Sequence, residues 1–120
     1  MPTVLQIVTD TQGKARFVDL DLALRPEAGG GLGVSAPVSV SSALVLRAPA
    51  GNGHPEQPEA RRQLAVVLTG SCTVIASGET RICWPGDLLL IEDTVGAGHS
   101  SMTDEGFTVL MVALEDGARW

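Results

Sequence analysis

From Arg61 onward the chain is cut into apolar runs too short for helices. RQLAVVLTG, SCTVIAS, ETRICW, DLLLIED, AGHSSM and FTVLMVAL are divided by TG, SG, PGD, TVGAG and TDEG. Segments rich in Val, Ile, Leu and Thr, broken by Gly, Pro and Asp and lacking a 3.6-residue period, are strands. Upstream, VLQIVT, RFVDLDLAL and VSVSSALVLRA extend the pattern. In the second of these, Val18, Leu20, Leu22 and Leu24 alternate with Asp19, Asp21 and Ala23, the period of a strand with one wet face. RPEAGGGLGVSAP and APAGNGHPEQPEA read as loops, the first a flexible connection whose GGGLG has no following GK[ST] and so is no phosphate cradle. The result is an all-β sandwich or small barrel in one domain, residues 1–120. With Phe17, Trp84, Phe107 and Trp120 as the only aromatics, its core must be Val, Leu, Ile and Ala.

Charge narrows the partners. The net charge is −6 and, apart from Arg61-Arg62, the basic residues are scattered, so no stripe tracks a phosphate backbone. Nucleic acid and an anionic membrane surface are therefore not expected partners. No apolar run approaches bilayer length, and the N-terminal segment has no basic stretch before Asp10, so a cytoplasmic protein is expected. The two cysteines lie in SCTVIASGETRICW, which reads as a hairpin turning at Ser77-Gly78. That register sets Ala76 opposite Glu79 and Cys72 opposite Cys83, within disulfide reach; two buried thiols in a reducing cytosol is the expectation.

Chemistry concentrates at EDTVGAGHS, residues 92–100, where two carboxylates, Glu92 and Asp93, precede a glycine-rich turn and His99. Imidazole is the side chain whose ordinary protonation lies near neutrality, which suits a general acid or base. Gly96 and Gly98 allow a tight turn that aims it inward. Asp93 reads as the cap of that turn, while Glu92 either orients His99 or is solvated. If residues 57–63 are extended, Gln57, Glu59, Arg61 and Gln63 share one face. Arg61 then either grips a substrate carboxylate or enolate or pairs with a surface acid.

RRQLAVVLTG followed by WPGDLLLIEDTVGAGHS resembles the two sequence motifs of the cupins, small double-stranded β-helix (jelly-roll) barrels. Gly70 matches the closing glycine of the first motif and Gln63 its glutamate position. Gly86, Gly96 and His99 match two glycines and the histidine of the second. The early strand, the RRQ and the EDTxGxGH-type turn are similar to those of single-domain bacterial cupins, over roughly residues 5–114. The resemblance implies a barrel core of about 38–114 with N-terminal strands over 4–24, and a homodimer formed by strands such as VLQIVT and FTVLMVAL. It also implies a metal site of three imidazoles and a carboxylate, from which this chain departs. The first-motif histidine positions hold Gln57 and Glu59, or Glu56 and Pro58 with the longer spacer, and His54 reaches the site only if its loop folds in.

The expectation is accordingly a metal-independent site with no cofactor. His99, Gln63 and Glu92 carry the chemistry of an isomerase, cyclase or lyase, and Arg61, Gln57, Glu59 and His54 bind a small organic substrate in an apolar pocket. One alternative is a cupin oxygenase or lyase whose divalent transition metal is weakly held by His54, Glu59, Gln63 and His99. Another is a non-catalytic binding module.

Overall fold

The computed structural model describes residues 3–26 and 30–120; the rest, including residues 27–29 of the glycine-rich connection, lie outside it. Among the described residues there are twelve strands and no helix, and nine of the strands fall where the breaker spacing predicts them. β1 (Thr3–Thr9), β2 (Ala15–Asp21), β5 (Val40–Ala48), β7 (Gln63–Gly70), β10 (Leu88–Ile91) and β12 (Phe107–Leu114) form one sheet, in the order β2-β1-β10-β7-β12-β5. β6 (Asn52–Gln57), β8 (Cys72–Ala76), β9 (Glu79–Cys83) and β11 (His99–Thr103) form a second, in the order β6-β11-β8-β9. β3 (Arg25–Pro26) and β4 (Gly33–Val34) pair only with each other.

Strand parity decides what each sheet buries. Leu5, Leu89, Ala65 and Met111 lie in register across four strands, as do Ile7 and Ile91 beside them, and this face turns toward the small sheet. Cys72, Val74, Ala76 and Cys83 answer from the small sheet, so the main core lies between the layers. The opposite face of the large sheet is apolar as well. Val4, Leu22, Leu90 and Leu114 form a second buried cluster under Val38 and Trp120. The alternation in RFVDLDLAL therefore does not separate a core face from a wet one. β2 is an edge strand that sends Ala15 and Phe17 into the main core and Leu20 into the second, and the strand ends at Asp21.

The layers are fastened along one side. The Arg81 guanidinium makes two hydrogen bonds of 3.0 Å to Asp19, tying β9 to β2 and holding the Asp19 carboxyl below the usual carboxylate range. Ser77 Oγ donates to the Ala15 carbonyl (2.7 Å). Ser77 (φ 50°) and Gly78 (φ 81°) make the tight turn that the hairpin reading requires, with Ala76 opposite Glu79 and Cys72 opposite Cys83. On the other side β5 and β6 are the free edges of their sheets, and the space between the layers opens there.

Two segments depart from expectation. β3 and β4 pair within RPEAGGGLGVSAP, which reads as a flexible connection, and APAGNGHPEQPEA, which reads as a loop, holds strand β6 (Asn52–Gln57), paired with β11. Pro55 is compatible with this because β6 is an edge strand and its register shifts between the pairs at His99 and Ser101.

Both cysteines are free thiols, buried side by side. Burial raises the Cys72 thiol above its ordinary pKa and pushes Cys83 up to about 12. A thiol that ionises more readily unfolded than folded keeps its contribution below the unfolded pKa. It loses that contribution as pH climbs through the folded value. Stability from urea denaturation should therefore fall between about pH 9 and 12, and more steeply than in Cys83→Ala. Equal slopes would contradict the assignment.

Candidate functional site

β11 begins at His99, directly after the glycine turn. Gly96 and Gly98 both adopt φ 78°, a left-handed backbone that other residues take only with strain. A Cβ on Gly98 would collide with the backbone of Gln57 and Pro58, so this glycine lets the turn press against the end of β6. Ala97 N donates to the Gly13 carbonyl (2.9 Å), fixing the turn from the other side. The glycines thus bring His99 and the segment around Glu59 together.

The strand leading into the turn supplies the second component. Ile91 faces the core, so Glu92 faces away and Asp93 faces in again. Asp93 is 0% exposed and His99 3%. His99 Nδ1 donates to Asp93 Oδ2 at 2.6 Å. The other carboxylate oxygen, Oδ1, is buried with no hydrogen-bond partner among the described residues, so this hydrogen bond is the one side-chain compensation the Asp93 carboxylate receives. The Asp93 backbone carbonyl accepts from Glu59 N (3.0 Å), which carries Glu59 to the same place. Gln63 Nε2 then donates to Glu59 Oε2 (2.8 Å).

His54 completes the group from β6, opposite Ser101. Its Nδ1 lies 2.9 Å from the Pro55 carbonyl, which can only accept, so Nδ1 is the donor and Nε2 holds the lone pair. The two imidazoles meet edge to face with centroids 5.0 Å apart. His99 Nε2 and Glu59 Oε1 are 3.8 Å apart, too far for a hydrogen bond. These side chains form the polar end of a cavity of about 580 Å³ between the two sheets. Its apolar wall includes Leu44, Leu46, Val74, Ile91, Phe107 and Met111.

The structure brings together His99, Gln63, Gln57, Glu59 and His54, all of which line this cavity. Two expected members lie elsewhere. Glu92 is expected to be catalytic, but it accepts from Gln6 Nε2 and Arg62 Nε (2.5 and 2.8 Å) on the side away from the cavity. Arg61 is exposed and does not line the cavity, because β6 ends at Gln57 and β7 starts at Gln63. The intervening residues are not extended, so two-residue parity does not carry through to position 61. Asp93, expected to cap the turn, is the residue that sequence reasoning misplaced. Counting parity from Ile91 two residues past the end of β10 is the signal that finds it.

The donor set suits a divalent transition metal in kind. One ring nitrogen from each of His54 and His99 and one Glu59 oxygen lie within 4.8 Å of one another. Two imidazoles and a carboxylate form a set used for such ions, and each Nδ1 already has an oxygen partner of the type that orients metal-binding histidines. The fit requires closing inward, since tetrahedral bonds of about 2.1 Å place ligand atoms roughly 3.4 Å apart. The residues that would hold the ion are His54, Glu59 and His99.

No family model matches the chain, and no curated protein is similar to it. Solved structures are similar in fold. A conserved protein of unknown function from Streptococcus pyogenes superposes with a TM-score of 0.52 at 16% identity, covering 61% of this chain and 62% of that one. A cupin 2 conserved barrel domain protein from Salinispora arenicola gives 0.51 at 18%, covering 62% of each chain. These two matches thus span about three fifths of the proteins concerned. A putative ethanolamine utilization protein from Salmonella typhimurium gives 0.53 at 18% identity, covering 95% of this chain and 96% of its own. With two packed sheets, no helix among the described residues and these neighbours, the chain has the fold of a small cupin.

Proposed function

We propose that the chain binds a small organic molecule in the barrel cup and that His99 exchanges a proton with it. The reaction would be of isomerase, cyclase or lyase type. The observation that supports this reading is the buried pair at its floor: Asp93 holds Nδ1 of His99 at 2.6 Å and leaves Nε2 as the acceptor. A carboxylate in that position fixes the ring and stabilises the imidazolium formed when Nε2 takes a proton. Gln63 uses one N–H on Glu59 and keeps its second N–H and its carbonyl oxygen for a ligand.

A second reading rests on the cluster of His54, Glu59 and His99. A divalent transition metal held there would supply Lewis acidity toward a ligand oxygen. We also propose that the chain is cytoplasmic, where two opposed thiols such as Cys72 and Cys83 remain reduced, and that it forms a homodimer. For the homodimer we propose contact through the free edge strand β5, which exposes Val45 at 61%, while Val4 and Ile7 of β1 are fully buried.

Both readings are tested on one untagged preparation. Compounds that bind the cup by ligand-observed NMR are assayed for turnover and for exchange of ligand C–H protons with D2O. His99→Gln should keep the fold and bind within a few-fold, while the rate falls by about 10²–10⁴-fold. An unchanged rate would overturn the acid–base reading. Elemental analysis that finds near-stoichiometric metal, lost in His54→Ala, would favour the metal reading instead.

A further inference from the structure

The titratable groups at the polar end of the cavity offer acceptors, while Gln63 keeps one N–H as a donor. His99 spends its Nδ1–H on Asp93, and His54 spends its own on the Pro55 carbonyl, so each ring offers the cavity a lone pair. Glu59 Oε2 is occupied by Gln63, while Oε1 has no hydrogen-bond partner among the described residues and stands 3.8 Å from His99 Nε2. Three acceptors therefore converge within 4.8 Å of one another.

Charge points the same way. Among the described residues no Lys or Arg lines the cavity. Arg61 is exposed, Arg62 is committed to Glu92 and the Ala118 carbonyl, and Arg47 donates to Thr108 Oγ1 (3.3 Å), away from the cavity. The carboxylate of Glu59 sits on the wall and that of Asp93 directly behind it, with no fixed cation to offset them. A ligand carboxylate or phosphate would meet acceptors and negative charge. A cation that carries donors would be matched on both counts.

Spacing admits such a cation. An ammonium whose three N–H bonds splay tetrahedrally toward acceptors about 2.9 Å away holds those acceptors roughly 4.7 Å apart. The three acceptors lie within 4.8 Å of one another, with His99 Nε2 and Glu59 Oε1 at 3.8 Å, between the ammonium separation and the shorter one a metal requires. Beyond the polar end the wall is apolar, with Leu44, Val74, Ile91, Phe107 and Met111 facing the rest of the ligand.

We propose that the cup recognises a primary ammonium on an apolar body, its three N–H groups shared among Glu59, His54 and His99. The inference rests on the small-molecule reading of the same cavity and names the class of ligand.

The test uses the metal-free protein and n-hexylammonium, n-hexanol, hexanoate and hexyltrimethylammonium, with binding followed by two-dimensional NMR. Hexylammonium should bind at least tenfold more tightly than hexanol, and hexanoate more weakly than hexanol. The trimethylated cation, which has charge but no N–H, should lose the advantage. Glu59→Gln should bring the ammonium within about twofold of hexanol, with a two-dimensional spectrum of the free variant that matches the unaltered protein away from position 59 as the check on an intact cup. His54→Gln, a second variant, should reduce the preference in the same direction. Hexanol binding with no preference for the ammonium, or a preference that survives Glu59→Gln, overturns the ligand class and leaves the small-molecule cup standing. Failure of all four compounds to bind removes both.

Discussion

The hydrogen bond between His99 Nδ1 and Asp93 Oδ2 is the interaction on which the site depends. Asp93 is fully buried, and its second oxygen has no partner among the described residues. A buried carboxylate is costly unless a strong donor compensates it, and the imidazole is that donor. The bond settles the orientation of the ring and thereby the character of the cavity. With Nδ1–H directed at Asp93, Nε2 is the nitrogen left to face the cavity. The backbone bond from Glu59 to Asp93 extends the same anchor to the second acceptor, and Gln63 holds that acceptor in place.

The fold supplies what this arrangement requires by leaving one side open and tying the other. Arg81, Asp19 and Ser77 fasten the layers where β9 and β2 approach, whereas β5 and β6 are left as edges beside the cavity. The edge position of β6 matters twice. It accommodates Pro55, which an interior strand would not, and it places His54 opposite Ser101, on the cavity wall. Gly98 then allows the His99 turn to lie against the end of that strand without a side chain between them.

Much of this was legible in the sequence. The breaker spacing from Arg61 onward specifies the strands, and the Ser77-Gly78 hairpin gives the register of Cys72 and Cys83 directly. His99 and Gln63 follow from the resemblance to the cupin motifs, and both line the cavity. The misses share one physical cause, the treatment of strand ends. Parity predicts an inward Arg61 only if residues 58–62 are a strand, and they are not. From Ile91 it holds for two residues past the end of β10, so Asp93, and not Glu92, is the carboxylate that meets His99. The strand at Asn52–Gln57 was hidden by its prolines and glycines, because a local reading cannot know that a segment lies at a sheet edge and can tolerate them.

Fold similarity to cupin-domain proteins identifies the scaffold and leaves the chemistry to the side chains, since one barrel hosts many reactions. The central claim is that both imidazoles direct Nδ1–H into the protein and Nε2 into the cup. The most direct measurement is the 15N spectrum of the two imidazole rings in protein labelled at histidine. Neutral His99 and His54 should both show Nδ1 protonated and Nε2 bare, and Asp93→Asn should release His99 from that tautomer while leaving His54 in it. A protonated Nε2 on neutral His99, or a His99 tautomer indifferent to Asp93→Asn, would contradict the account.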